Sequence, residues 1–173
     1  MGTGQLSSAV DLMTEAVAQR PEIPEGWHKL GAALYFMADN QRACEAFERA
    51  ASLDDSHYGY INDLGGIYLS MGRFDDAELA FRKALALEAT SVEARYNLAT
   101  CLSEQGKFLD AIPLLQSVIS EKPELDEPKF NLGLALRKMG KPEQAIPWLR
   151  QVLSEELPMA QLELARCYRD LAN

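Results

Sequence analysis

The chain is poor in the side chains that catalysis and metal binding rely on. It has two histidines, His28 and His57, not spaced as a metal pair, and no HExxH segment. GxSxG, GxGxxG and phosphate-loop sequences are missing, which removes the common nucleophile elbow and nucleotide cradles. Cys44, Cys101 and Cys167 are odd in number, far apart and free of any CxxC, so they read as reduced core side chains of an intracellular protein. No apolar run is long enough to span a bilayer and no signal peptide is visible; Leu6 stands where a myristoylation motif needs a hydroxyl. Basic residues number 17 against 26 acidic, a net charge of −9 that repels phosphate backbones and anionic membranes. The densest basic cluster is only Arg137, Lys138 and Lys141. The acidic residues Asp75, Asp76 and Glu78 fall on an outward helix face and read as solvated charge. These gaps predict a cytoplasmic protein that is not an enzyme. They predict no catalytic set, no metal and no cofactor, and no nucleic-acid or membrane partner.

What the chain does have is repetition. It is 47% hydrophobic over 173 residues, ample for a buried core. The stretch YNLATCLSEQGKFLDAIPLL from Tyr96 returns as FNLGLALRKMGKPEQAIPWL from Phe130, 34 residues later. Carried backwards, the period places copies at 24, 58, 92 and 126. Slot 7 holds Leu30, Leu64, Leu98 and Leu132; slot 8 holds Gly31, Gly65, Ala99 and Gly133; slot 20 holds Ala43, Ala77, Ala111 and Ala145.

Each copy reads as two amphipathic helices, A and B. Slots 4, 7, 8 and 11 follow helical spacing and form one apolar face. Gly72, Gly106 and Gly140, at slot 15, stand where helix A must end in a left-handed residue. The small residues at slots 8 and 20 let A and B approach closely. Slots 24 and 27 trade volume: Phe47 with Ala50 and Phe81 with Ala84 early, Leu115 with Val118 and Leu149 with Val152 later. Such compensation predicts that both slots share one packed core. Pro113 and Pro147, at slot 22, predict that helix B begins near slot 18 in the last two copies, or bends there.

This pattern, with Trp27 at slot 4 and Pro123 at slot 32, resembles the tetratricopeptide repeat family. The resemblance implies an all-α fold, a right-handed superhelical solenoid of antiparallel helix pairs with about ten helices. Full repeats are expected at 24–57, 58–91, 92–125 and 126–157, with a half repeat at 5–23 and another, or a capping helix, at 158–173. Ala9, Met13, Ala16 and Pro21 fit slots 20, 24, 27 and 32 of a lone B helix. Leu164, Ala165 and Tyr168 fit slots 7, 8 and 11 of a lone A helix if the fourth copy is two residues short. Residues 1–4 are expected to be disordered or a cloning remnant. The two half repeats also suggest head-to-tail self-association.

In the resembled family, helix A lines a concave groove through slots 2, 5, 6, 9, 12 and 13, which implies a protein-interaction scaffold holding an extended peptide or partner helix. Here those slots offer His28, Lys29, Tyr35, Phe36, Asn62, Asp63, Tyr96, Asn97, Thr100, Phe130, Asn131, Leu134, Arg137 and Lys138. Asn97 and Asn131 recur at slot 6, where an amide both donates to and accepts from a peptide backbone. They look like two rungs of the asparagine ladder in O-linked N-acetylglucosamine transferases, although Lys29 and Asp63 depart from it. The aromatics would anchor side chains. The chaperone-carboxylate clamp of the family is not matched: of its five positions only Asn97 agrees, and Glu93 or Glu127 stands where it needs a lysine. The alternative reading is a substrate-recognition or regulatory segment of a larger enzyme such as a glycosyltransferase.

Overall fold

The computed structural model describes residues 3–152 and 158–172, with side chains from residue 7 onward. Ten helices and no strand are found among the described residues: α1 (Thr3–Gln19), α2 (Pro24–Phe36), α3 (Asn40–Leu53), α4 (Tyr58–Ser70), α5 (Phe74–Leu87), α6 (Val92–Glu104), α7 (Phe108–Glu121), α8 (Asp126–Lys138), α9 (Pro142–Leu149) and α10 (Met159–Leu171). They form two compact units, residues 1–90 and 91–173. Of the stretch 1–4 that the sequence marks as a remnant, residues 1 and 2 lie outside the described residues and α1 begins at Thr3. The stretch 153–157, where the fourth copy loses its register, also lies outside them.

In the first unit α2 packs on α3 and α4 on α5; α3 leans on α4, and α1 covers α2. In the second, α6 packs on α7 and α8 on α9, α7 leans on α8, and α10 rests on α9 with its edge touching α8. In three of the four pairs a glycine of helix A lies directly against a large side chain of helix B. A Cβ built on Gly65 would sit 2.7 Å from the Phe81 ring, on Gly31 3.0 Å from Phe47, and on Gly133 2.6 Å from Leu149. The third copy pairs Ala99 with Leu115, both fully buried. Slots 24 and 27 are sealed together in the first three copies, with Phe81, Ala84, Leu115 and Val118 all at 0% exposure. In the fourth, α9 ends at Leu149 and Val152 lies beyond it, half-buried.

Every A helix of a full copy ends the same way. Gly72, Gly106 and Gly140 have φ of +73°, +75° and +73°, and Ala38 takes the same left-handed turn at +60°. The following N–H then reaches back to the slot-11 carbonyl, as in Arg73 N to Tyr68 O at 2.9 Å and Asp39 N to Leu34 O at 3.0 Å. Helices α7 and α9 start one residue before the expected slot, so Pro113 and Pro147 sit in the second turn. Each removes an N–H that would bond the carbonyl four residues back, at Leu109 and Glu143. Both of those residues are exposed, so water can satisfy the carbonyls.

Candidate functional site

In the first unit the expected groove residues are largely tied to one another. His28 Nε2 lies 2.6 Å from Asp63 Oδ2, one slot and one repeat away. Its ring also contacts Tyr60 and Phe47, with centroids 5.0 and 5.6 Å off. Lys29 turns to Glu25 on its own helix, Nζ to Oε1 2.6 Å. Asn62 is buried at 3% exposure. Tyr35 and Phe36 stand at the end of α2, exposed, their ring centroids 6.5 Å apart. A hollow of about 550 Å³ between α3 and α5 has a rim that closes on itself. There the Tyr68 hydroxyl donates to Glu48 at 2.8 Å, and Lys83 pairs with Asp55 at 3.2 Å. Burial first, and the bond to Glu48 second, push the Tyr68 phenol well above its ordinary pKa.

The second unit repeats the same link with neutral groups. Asn131 Nδ2 donates to the Tyr96 hydroxyl at 3.0 Å, again from slot 6 of one A helix to slot 5 of the one before. Thr100 Oγ1 donates to the Tyr96 carbonyl at 3.0 Å. Burial raises the Tyr96 pKa, with the bonds from Thr100 and Asn131 opposing it and the charge of Glu127 adding to it. Tyr96 and Phe130 are half-buried and lean on the core around Leu132 and Leu136. Asn97, Thr100, Asn131 and Leu134 are likewise half-buried. Arg137 is committed elsewhere: Nε donates to Glu163 Oε2 at 2.6 Å and Nη1 to Asp170 Oδ2 at 3.3 Å, on α10. Lys138 stays exposed, with Nζ 5.8 Å from the centre of the Phe108 ring.

Beside Tyr96 lies a groove of about 540 Å³. Its floor is apolar (Val92, Tyr96, Val118 and Leu125) and its rim carries Glu93, Glu124 and Glu127 against one cation, Lys122. Of these residues, only Tyr96 belongs to the set expected from sequence. Glu93 and Glu127 stand at slot 2, one of the expected groove slots, whereas the others come from helix ends and from the turn between α7 and α8, which those slots do not reach. The acidic slot-2 residues Glu93 and Glu127 were the available signal. Among the described residues no group of three or more His, Cys, Asp or Glu could hold a metal ion, and no helix is long and apolar enough to cross a membrane.

Comparison with known proteins places these features. Tetratricopeptide repeat family models match residues 28–87, 62–126 and 102–158. The curated human protein "Cilia- and flagella-associated protein 70" is 31% identical over 80 residues, 46% of this chain and 7% of that protein, so the match spans a small fraction of the relative's length. Among solved structures, the type IV pilus biogenesis factor PilW superposes with a TM-score of 0.85 at 21% identity, covering 98% of this chain and 80% of that one. MamA residues 41 to the end, from Desulfovibrio magneticus RS-1, gives 0.81 at 20% identity, covering 94% and 87%. YrrB, described as a TPR protein with an unusual peptide-binding site, gives 0.75 at 21% identity, covering 93% and 84%. These likenesses show the helical-repeat fold.

Proposed function

This chain belongs to the tetratricopeptide repeat family, and we propose that it is a protein-interaction scaffold whose second unit holds an extended peptide over the groove beside Tyr96. Proteins of this family generally act as scaffolds, not as enzymes. The observation that carries the finer reading is the Tyr96 ring. It forms part of an apolar floor, and its hydroxyl is held by Asn131 at 3.0 Å. A ring fixed before binding loses little further entropy when a partner side chain packs on it. Asn131 therefore acts by positioning Tyr96, a role beside the backbone-gripping one its slot suggests. Asn97, on the preceding A helix, keeps the backbone-gripping role in this reading. The likeness to YrrB supports peptides as the ligand class. A reading as the recognition segment of a larger enzyme would use the same groove.

Charge narrows the ligand. Glu93, Glu124 and Glu127 surround the apolar floor, so the peptide should carry an apolar residue flanked by Lys or Arg. A peptide array probed with wild type and with Tyr96→Ala tests this. Apolar-basic peptides should bind wild type and lose roughly tenfold or more with the variant. Acidic peptides binding better, or no difference between the two proteins, would overturn the assignment.

A further inference from the structure

We propose that the groove beside Tyr96 takes an aromatic side chain of its peptide, lying against the Tyr96 ring as the chain's own Tyr60 lies against His28. This rests on the peptide reading above and names the anchor, which that reading leaves as any apolar residue. Two repeats before the groove, the first unit holds its counterpart in the same slots: His28 for Tyr96, His57 for Leu125 and Tyr60 for Pro128. The tie from slot 5 to slot 6 gives both places one local frame, His28 to Asp63 at 2.6 Å and Tyr96 to Asn131 at 3.0 Å.

In the first unit the chain supplies the second ring itself. The Tyr60 ring lies against His28, centroids 5.0 Å apart and tilted by 43°. The His57 ring stacks on Tyr60 at 3.9 Å and 19°. His57 Nδ1 also accepts the Tyr60 backbone N–H at 3.3 Å, which pins this stack to the first turn of α4. Burial first, then the charges of Glu25 and Asp54, raise the Tyr60 pKa, so the ring is held among carboxylates. In the second unit Leu125 and Pro128 occupy the two ring-bearing slots, and neither is aromatic. Beside slot 5 lies instead the groove of about 540 Å³, with Tyr96 in its floor and Glu93, Glu124 and Glu127 around it. Both units thus set a slot-5 ring among carboxylates, and in the second unit the ring that meets it has to come from a partner. The Asn131 amide holds the Tyr96 hydroxyl, so the receiving ring is fixed before that partner arrives. A ring packed offset or tilted on another ring gains over an aliphatic side chain of similar area.

Calorimetric titration of the 173-residue chain tests this. The probes are synthetic peptides that differ only in one central residue, Phe, Trp, Leu or Gly, flanked on both sides by lysines. Wild type should bind the Phe and Trp peptides roughly threefold to tenfold more tightly than the Leu peptide, and the Gly peptide most weakly. Tyr96→Leu should abolish the difference between Phe and Leu. Pro128→Tyr places a phenol in the slot that Tyr60 fills in the first unit, and should weaken the Phe peptide roughly tenfold. Pro128 is buried, so a thermal melt accompanies that variant, and the peptide series on wild type decides the matter if it does not fold. A Leu peptide bound as tightly as the Phe peptide would overturn the ring inference and leave the peptide reading standing. A Phe preference that survives Tyr96→Leu would overturn it as well. Failure of every peptide to bind, or equal binding of all of them with Gly included, would overturn both readings.

Discussion

In residues 1–90 the slot-5 side chain of one A helix, His28, meets the slot-6 side chain of the next, Asp63, at 2.6 Å. In residues 91–173 Tyr96 and Asn131 occupy the same two slots and meet at 3.0 Å. The geometry of the repeat thus fixes where successive A helices are tied, and the residue types decide what the tie responds to. A histidine–carboxylate pair, 28% and 40% exposed, is an ion pair open to screening by salt only when the imidazole is protonated. A phenol–amide bond is neutral and indifferent to it. The Tyr96 ring in the floor of the second unit's groove is thus tied by neutral groups.

The sharpest way to break this comparison lies in the packing beneath those ties. The first unit seats Gly65 on Phe81, whereas in the second unit the third copy packs Ala99 and Leu115 in one core and the fourth keeps a glycine, Gly133, on Leu149. Gly65→Ala should destabilise by about 1–3 kcal/mol in urea unfolding, because Phe81 is fully buried and has nowhere to move. Adding Phe81→Leu should recover part of that loss by copying the pairing of Ala99 with Leu115. A double variant less stable than Gly65→Ala alone would show that the two units do not pack interchangeably.

A smaller effect sharpens the contrast between the ties. Tyr96→Phe leaves the Asn131 amide without its hydroxyl partner and should cost about 1 kcal/mol, the same at low and high salt. In acidic buffer that protonates the imidazole, His28→Asn should cost less than about 1 kcal/mol, and the difference from wild type should shrink as salt rises. Equal salt dependence for both variants would erase the distinction. The smallest expected effect has the opposite sign. Ala38 is the one described non-glycine residue with positive φ, at +60°, in the slot where the other copies use glycine. Ala38→Gly should stabilise the first unit by roughly 0.5 kcal/mol. Relief of the left-handed penalty outweighs the added freedom of the unfolded chain. A melting midpoint that falls would show that the turn carries no strain.

Much of the fold was legible because the repeat writes local rules several times over. The apolar face of helix A, the small residues at slots 8 and 20 and the glycines at slot 15 each correspond to an observed contact or dihedral angle. Ala38 was hidden, since alanine gives no sign of a left-handed turn; the hydrogen bond from Asp39 to Leu34 imposes it. Helix B of the last two copies begins at slot 17, next to the expected slot 18, and an exposed carbonyl tolerates the second-turn proline. Groove residues were less legible. Arg137 looked like an open cation from its slot, yet it is bound to Glu163 and Asp170 on α10, 26 and 33 residues away.

The sequence by itself determined the helix pairs, their spacing and the sites of closest approach. These depend on side-chain size and periodicity within a few turns of chain. Tertiary structure alone decided which polar groups are committed to each other. Tyr96 and Asn131 stand 35 residues apart. Only the stacking of one A helix on the next brings a phenol and an amide within bonding distance and leaves the ring facing an acidic groove.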